Sequence, residues 1–196
     1  LDGTNALAAA TEAGHVEAVR ELVRAGASHE EAHSGGPSVL SIACWEGHVQ
    51  AARHLLLAGA KVNHVATSDH GLTPLHAACW QGHAPVVRLL FEMGGPPLGP
   101  MLLRPLDDGS TPLLLASEKG HAEAVRVLLE QVQFPIYIDA QTADGYSALI
   151  CASEQGRVET VKHLLHAGAD LRLALVSGAT ALHRACQVSS LPDPDP

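Results

Sequence analysis

Thirteen histidines and four cysteines in 196 residues are, in number, enough for a metal centre or for acid–base and thiol chemistry. Imidazole titrates near neutrality and binds zinc, and a thiolate is both a nucleophile and a soft ligand. The spacing of the cysteines argues against such a role. Cys44, Cys79, Cys151 and Cys186 never form the Cys-x-x-Cys pair that closes a zinc site. Nor is there a phosphate-cradling glycine loop ending in Lys, or the Gly-x-Ser-x-Gly turn that lifts a nucleophilic serine. No catalytic residue, metal ligand or cofactor is therefore expected.

The spacing has another cause. Residues 71–83 read GLTPLHAACWQGH, and variants of that phrase recur along most of the chain. Anchored on the closing glycine, the copies fall at Gly14, Gly47, Gly82, Gly120 and Gly156, with offsets of 33, 35, 38 and 36. A second glycine stands eleven residues earlier in each copy, at Gly3, Gly36, Gly71, Gly109 and Gly145. A sixth copy begins at Gly178, but Ser189 occupies its anchor position. Leu7, Leu40, Leu75, Leu113, Leu149 and Leu182 form one column, and Ala10, Ala43, Ala78, Ala116, Ala152 and Ala185 another. His15, His48, His83 and His121 follow the anchor, and Arg157 breaks that series. Fixed periods of this kind mark stacked solenoids.

Each copy predicts two short helices. Thr, or Ser in its place, caps the first, and Pro74 and Pro112 sit at its first turn, where proline is tolerated. The second carries apolar residues five, eight and nine positions past the anchor, as in Val87, Leu90 and Phe91, which is one helical face. Gly26, Gly59, Gly94 and Gly168 are expected to end the second helix in the left-handed conformation. The fourth copy has Val132 there and must end differently. One such unit cannot bury its own stripe, so neighbours must stack.

Thr73-Pro74-Leu75-His76-Ala77-Ala78 and Thr111-Pro112-Leu113 resemble the ankyrin repeat, with its period of about 33 residues and its T-P-L-H-x-A signature. The resemblance implies an all-α solenoid of five complete helix-turn-helix repeats (1–33, 34–68, 69–106, 107–142, 143–175) and a partial sixth (176–190), joined by β-hairpin-like loops. Residues 191–196, Pro- and Asp-rich, are expected to form a disordered tail or linker. The chain opens on Leu1 inside a repeat, which reads as a domain excised from a longer protein that lacks a polar capping repeat. His76 and His183 are the signature histidines of their copies, and the resemblance implies that they and the histidines after the anchors are hydrogen-bonding struts.

Composition agrees. The chain is 46% hydrophobic but only 3% aromatic, which suits thin layers of Ala, Leu and Val. A net charge of −9 argues against nucleic acid as partner. No run is long enough to span a membrane, and no secretory signal opens the chain. The cysteines fall in first-helix positions, read as small buried hydrophobes. Stacked helices separate equivalent positions by roughly 8–10 Å, too far for zinc ligation or a disulfide. Reduced thiols point to the cytoplasm or nucleus.

The resemblance implies a partner-binding surface on the concave side, formed by the first helices and hairpin tips. The two residues before the anchor glycine, outside the apolar columns, read Glu12-Ala13, Trp45-Glu46, Trp80-Gln81, Glu118-Lys119 and Glu154-Gln155. Both tryptophans share one column in consecutive repeats, and tryptophan is a preferred interface anchor. With Glu46, Gln81 and Glu118 beside them, they predict a partner segment with apolar or aromatic and basic residues. The competing reading has each indole packed over its own Gly-His turn. A cationic column, Arg20, Arg53, Arg88, Arg126 and Lys162, reads as a solvated outer face with local ion pairs, or as a docking strip for an acidic partner. The enlarged connections at 94–105 and 134–138 put Leu98, Met101, Phe134 and Tyr137 either in contact with a partner or in a private cluster. Asn63, on a hairpin tip, is similar to asparagines hydroxylated in ankyrin proteins.

The expected function is a monomeric protein-interaction adaptor or scaffold, with substrate recruitment for a ubiquitin ligase among its jobs. Alternatives are a regulatory domain acting on an enzyme or channel in the same parent chain, and a reader of methyl-lysine in an aromatic cage.

Overall fold

The computed structural model describes residues 5–30, 36–66, 71–94, 103–131 and 137–188. Among these residues eleven helices follow in order: α1 (Ala6–Glu12), α2 (Val16–Arg24), α3 (Val39–Glu46), α4 (Val49–Leu57), α5 (Pro74–Gln81), α6 (Ala84–Gly94), α7 (Pro112–Lys119), α8 (Ala122–Gln131), α9 (Ala148–Glu154), α10 (Val158–His166) and α11 (Ala181–Val188). The described residues pair in β fashion at one isolated bridge, Ala174 with Thr180.

The first helix of each copy starts where a side-chain oxygen takes a free amide of its first turn. Asn5, Ser38, Thr73, Thr111 and Ser147 occupy the same register and accept from Ala8, Ser41, His76, Leu114 and Ile150. Each such cap contributes about 1 kcal/mol. Gly47, Gly82 and Gly120 then close α3, α5 and α7 in the left-handed conformation.

The helices form two layers. The first helices stack in the order α1, α3, α5, α7, α9, α11, the second helices in the order α2, α4, α6, α8, α10, and each first helix packs on its own second helix. The core lies between the layers. Leu7, Leu40, Leu75, Leu113 and Leu149 are all buried in it. Burying a leucine contributes about 1.5–3 kcal/mol, so this column is a large part of what holds the stacked repeats together.

Four sequence expectations are corrected. Gly94 does not end α6 in a left-handed turn; it is the buried last residue of that helix, which is longer than α2, α4 and α10. Leu182, in the leucine column, is 70% exposed, and Cys186 is exposed although Cys44 and Cys79 in its column are fully buried. The cause is the same for both: among the described residues no helix lies beyond α11 to cover it. Leu165, on the apolar stripe of α10, is likewise exposed. In the enlarged connections, for which the sequence leaves partner contact and a private cluster both open, Leu103 and Ile138 belong to the core.

The cationic column lies on the outer face and is already paired. Arg20 and Lys162 bond Glu17 and Glu159 within their helices, and Arg126 bonds both Glu123 and Glu130. Arg53 reaches Glu92 at 4.0 Å and Arg88 reaches Glu130 at 3.7 Å, both in the next repeat. These exposed pairs contribute little each, and they neutralise the strip that an acidic partner would need.

Candidate functional site

A row of backbone contacts fixes the open wall of the first helices. The residue after each anchor glycine is the N-cap of the second helix, yet the side chains of His48 and Arg157 do not cap it. They reach back to the preceding repeat instead. His48 Nε2 donates to Glu12 O at 3.1 Å, His83 to Trp45 O at 2.9 Å and His121 to Trp80 O at 3.0 Å. Arg157, where the histidine series breaks, keeps the contact by donating from Nε to Glu118 O at 3.3 Å. Each of these side chains lies against the preceding anchor glycine, where a Cβ would collide with it. The histidine and arginine serve as struts, and the acceptors are the backbone of the candidate binding column.

That column runs Glu12, Trp45, Trp80, Glu118, Glu154 across five repeats. Trp45 is 36% exposed and Trp80 half-buried. Glu46 and Gln81 are exposed, and Glu118 is half-buried. Lys119 Nζ stands 4.0 Å from the Trp80 ring centroid and bonds Glu118 Oε1 at 3.0 Å. The indole face thus already carries a cation from the next repeat, an interaction worth about 0.5–1 kcal/mol at an exposed site.

Beyond Glu118 the wall opens into a pocket of about 320 Å³ between the fourth and fifth copies. Its sides come from two hairpin turns and two first helices. One turn is closed by Leu106 N–H to Ser110 O at 2.8 Å, the other by Thr142 N–H to Tyr146 O at 2.9 Å. They supply Asp108, Ser110, Thr142, Asp144 and Tyr146. Helix α7 adds Leu114 and Glu118, and α9 adds Cys151, Glu154 and Gln155. Glu154 pairs with Arg184 of α11 at 3.3 Å. Asp108 Oδ1 accepts from Ser110 N–H at 2.8 Å. Neither Asp108 nor Asp144 has an ion-pair partner among the described residues. Burial, with the negative charges of Glu118 and Glu154 adding to it, pushes the Cys151 thiol up to about 12. Burial likewise raises the Cys44 and Cys79 thiols, so all three are poor nucleophiles near neutrality.

The other predicted positions are dispersed. Asn63 is half-buried in the turn after Lys61. Tyr137 is half-buried and packs on the core. Leu98, Met101 and Phe134 lie outside the described residues, as do Val132 and the tail at 191–196.

Sequence reasoning missed two features. One is the pocket; its signal was Asp immediately before the hairpin glycine, at Asp108 and Asp144, where the second and third copies have Gly35 and His70. The other is the run His29-Glu30-Glu31-Ala32-His33, which has the spacing of a zinc-peptidase helix. That chemistry needs both imidazoles on one helical face. His29 and Glu30 lie past Gly26, outside α2, and Glu30 bonds Lys61 Nζ at 2.8 Å. The Lys61 ammonium holds its carboxyl below the usual glutamate range, the wrong direction for a general base. Among the described residues no three His, Cys, Asp or Glu side chains converge to hold a metal ion, and no helix is long and apolar enough to cross a membrane.

A family model described as ankyrin repeats in three copies matches residues 1–66 and 97–174, and one described as ankyrin repeats in many copies matches residues 55–104. No curated protein matches the chain.

Proposed function

We propose, from the premise that this chain belongs to the ankyrin-repeat family, that it binds a partner protein along the wall of first helices and hairpin tips. Ankyrin repeats are generally protein–protein interaction modules. The observation that carries the finer reading is the tryptophan pair. Trp45 and Trp80 stand in consecutive repeats with their indoles partly open to solvent, while His83 and His121 hold their carbonyls in place. Large apolar area presented on a fixed backbone loses little entropy on binding.

The partner segment carries an apolar or aromatic side chain for the indoles and a basic one for the acidic end of the wall. Substrate recruitment for a ubiquitin ligase is one job such a surface serves.

The test compares the immobilised chain with a Trp45→Ala/Trp80→Ala variant of equal helicity, with captured proteins identified by mass spectrometry. A protein held by the first and lost by the second is expected, with affinity falling by about 2 kcal/mol per indole, roughly thirtyfold. Equal capture by both would move the binding site off this wall.

A further inference from the structure

We propose that the pocket between the fourth and fifth repeats takes one arginine side chain of the partner segment. The inference rests on the wall reading above and names what its acidic end recognises. Asp108 and Asp144 come from successive hairpin tips and line the same cavity without an ion-pair partner among the described residues. Glu118 and Glu154 add two more carboxylates, offset by Lys119 and Arg184. The pocket therefore holds an uncompensated charge of about −2, and a cation is its complement.

Two buried groups lining the cavity point the same way. Ser110 is 7% exposed and Cys151 6% exposed, both line the cavity, and among the described residues neither the Ser110 hydroxyl nor the Cys151 thiol has a hydrogen-bond partner. A side chain rich in donors satisfies such groups, whereas an empty pocket leaves them to water.

The occupant is organic, because the carboxylates are too dispersed to hold a metal ion. It is arginine rather than lysine because Tyr146, half-buried against the core, is among the residues lining the cavity with the acceptors. A planar guanidinium stacks on an aromatic ring, forks to carboxylates and is more weakly hydrated than an ammonium.

The test is proton–nitrogen NMR of the whole chain titrated with the methylamide of N-acetyl-arginine, and with its lysine and citrulline counterparts. The arginine compound is expected to shift the Ser110, Tyr146 and Cys151 amides, and the uncharged citrulline compound to leave them in place. Asp144→Asn, at an exposed position, is expected to weaken the arginine response about fivefold, the effect of losing one partly screened charge. Three outcomes overturn the proposal: no shift in the millimolar range, an equal response to lysine, or shifts that spread over remote carboxylates and ignore Asp144→Asn. The wall reading fails separately. A partner lost with the tryptophans but indifferent to Asp144→Asn leaves the wall and removes the pocket. Arginine binding in the pocket with no tryptophan-dependent capture does the reverse.

Discussion

Gly82→Ala will destabilise the protein by about 3 kcal/mol, whereas Gly59→Ala will cost about 1 kcal/mol. Both glycines have a positive φ, +80° and +97°, where an L side chain is strained by roughly 1–2 kcal/mol. Replacing either also stiffens the unfolded chain, which returns part of that cost equally at both sites. Their surroundings differ. Among the described residues a Cβ at Gly59 meets nothing within 4 Å, while one at Gly82 would lie 2.5 Å from His121 Cγ and 2.8 Å from its Cε1. The ring cannot yield by a few tenths of an ångström and keep its 3.0 Å bond to Trp80 O. It has to leave, with the loss of about 1 kcal/mol for the bond and of packing between the third and fourth repeats.

The collision has its own control. In Gly82→Ala/His121→Ala the ring is gone, so the double variant should be less damaged than the sum of the singles by about 1–2 kcal/mol. Equilibrium urea unfolding reads both quantities. It also shows whether the transition broadens, since repeat arrays lose cooperativity when one interface is weakened. Equal costs at Gly59 and Gly82, or strict additivity in the double variant, would defeat the strut mechanism. The point bears on function, because the acceptor of that strut is the backbone of Trp80.

What the sequence disclosed followed from its periodicity. The leucine and alanine columns, the caps at Ser38, Thr73, Thr111 and Ser147, and the left-handed turns at Gly26, Gly59 and Gly168 all repeat, and each copy corroborates the others. Gly94 shows the limit of that logic. It stands in the column of the helix-ending glycines but continues α6, since a glycine permits a left-handed turn without requiring one. Arg157 shows the opposite. The residue type breaks the column, yet its guanidinium spans the same gap to a carbonyl as an imidazole does. Contacts between repeats are set by reach and hydrogen-bonding capacity, which a column of letters does not encode. The acidic pocket was hidden for a related reason. Asp108 and Asp144 are unremarkable turn residues singly, and only the stacking of two hairpins over α7 and α9 faces them with Glu118 and Glu154. The His29–His33 spacing is a different case: a ligand pattern has chemical meaning only on the element that aligns it, His29 and Glu30 lie outside α2, and His33 lies outside the described residues.

Between pH 6.5 and 4, the stability advantage of the wild-type chain over His76→Gln will shrink by about 3 kcal/mol. His76 is completely buried on α5 and its Nδ1 lies 2.8 Å from Thr73 Oγ1. Burial, with the Arg104 guanidinium adding to it, lowers its pKa from 6.5 to about 4; the Ser110 and Arg104 backbones and the Asp108 carboxylate oppose the shift. The folded chain therefore keeps a neutral imidazole over a range in which the unfolded chain binds a proton. Stability from this group is fully present above pH 6.5, declines as pH falls through the window and levels off below about 4. Carboxylates elsewhere titrate in both proteins and cancel in the difference. His183→Gln is the control for the hydrogen bond itself, since Thr180 Oγ1 lies 2.8 Å from His183 Nδ1 in the same register on an exposed helix. Unfolding curves for wild type and His76→Gln that stay parallel from pH 7 to 4 would show that the imidazole is protonated in the folded state without penalty. Convergence would mean that a histidine of the repeat signature is held neutral by the stack, and that acid loosens the third repeat, which carries Trp80, through His76.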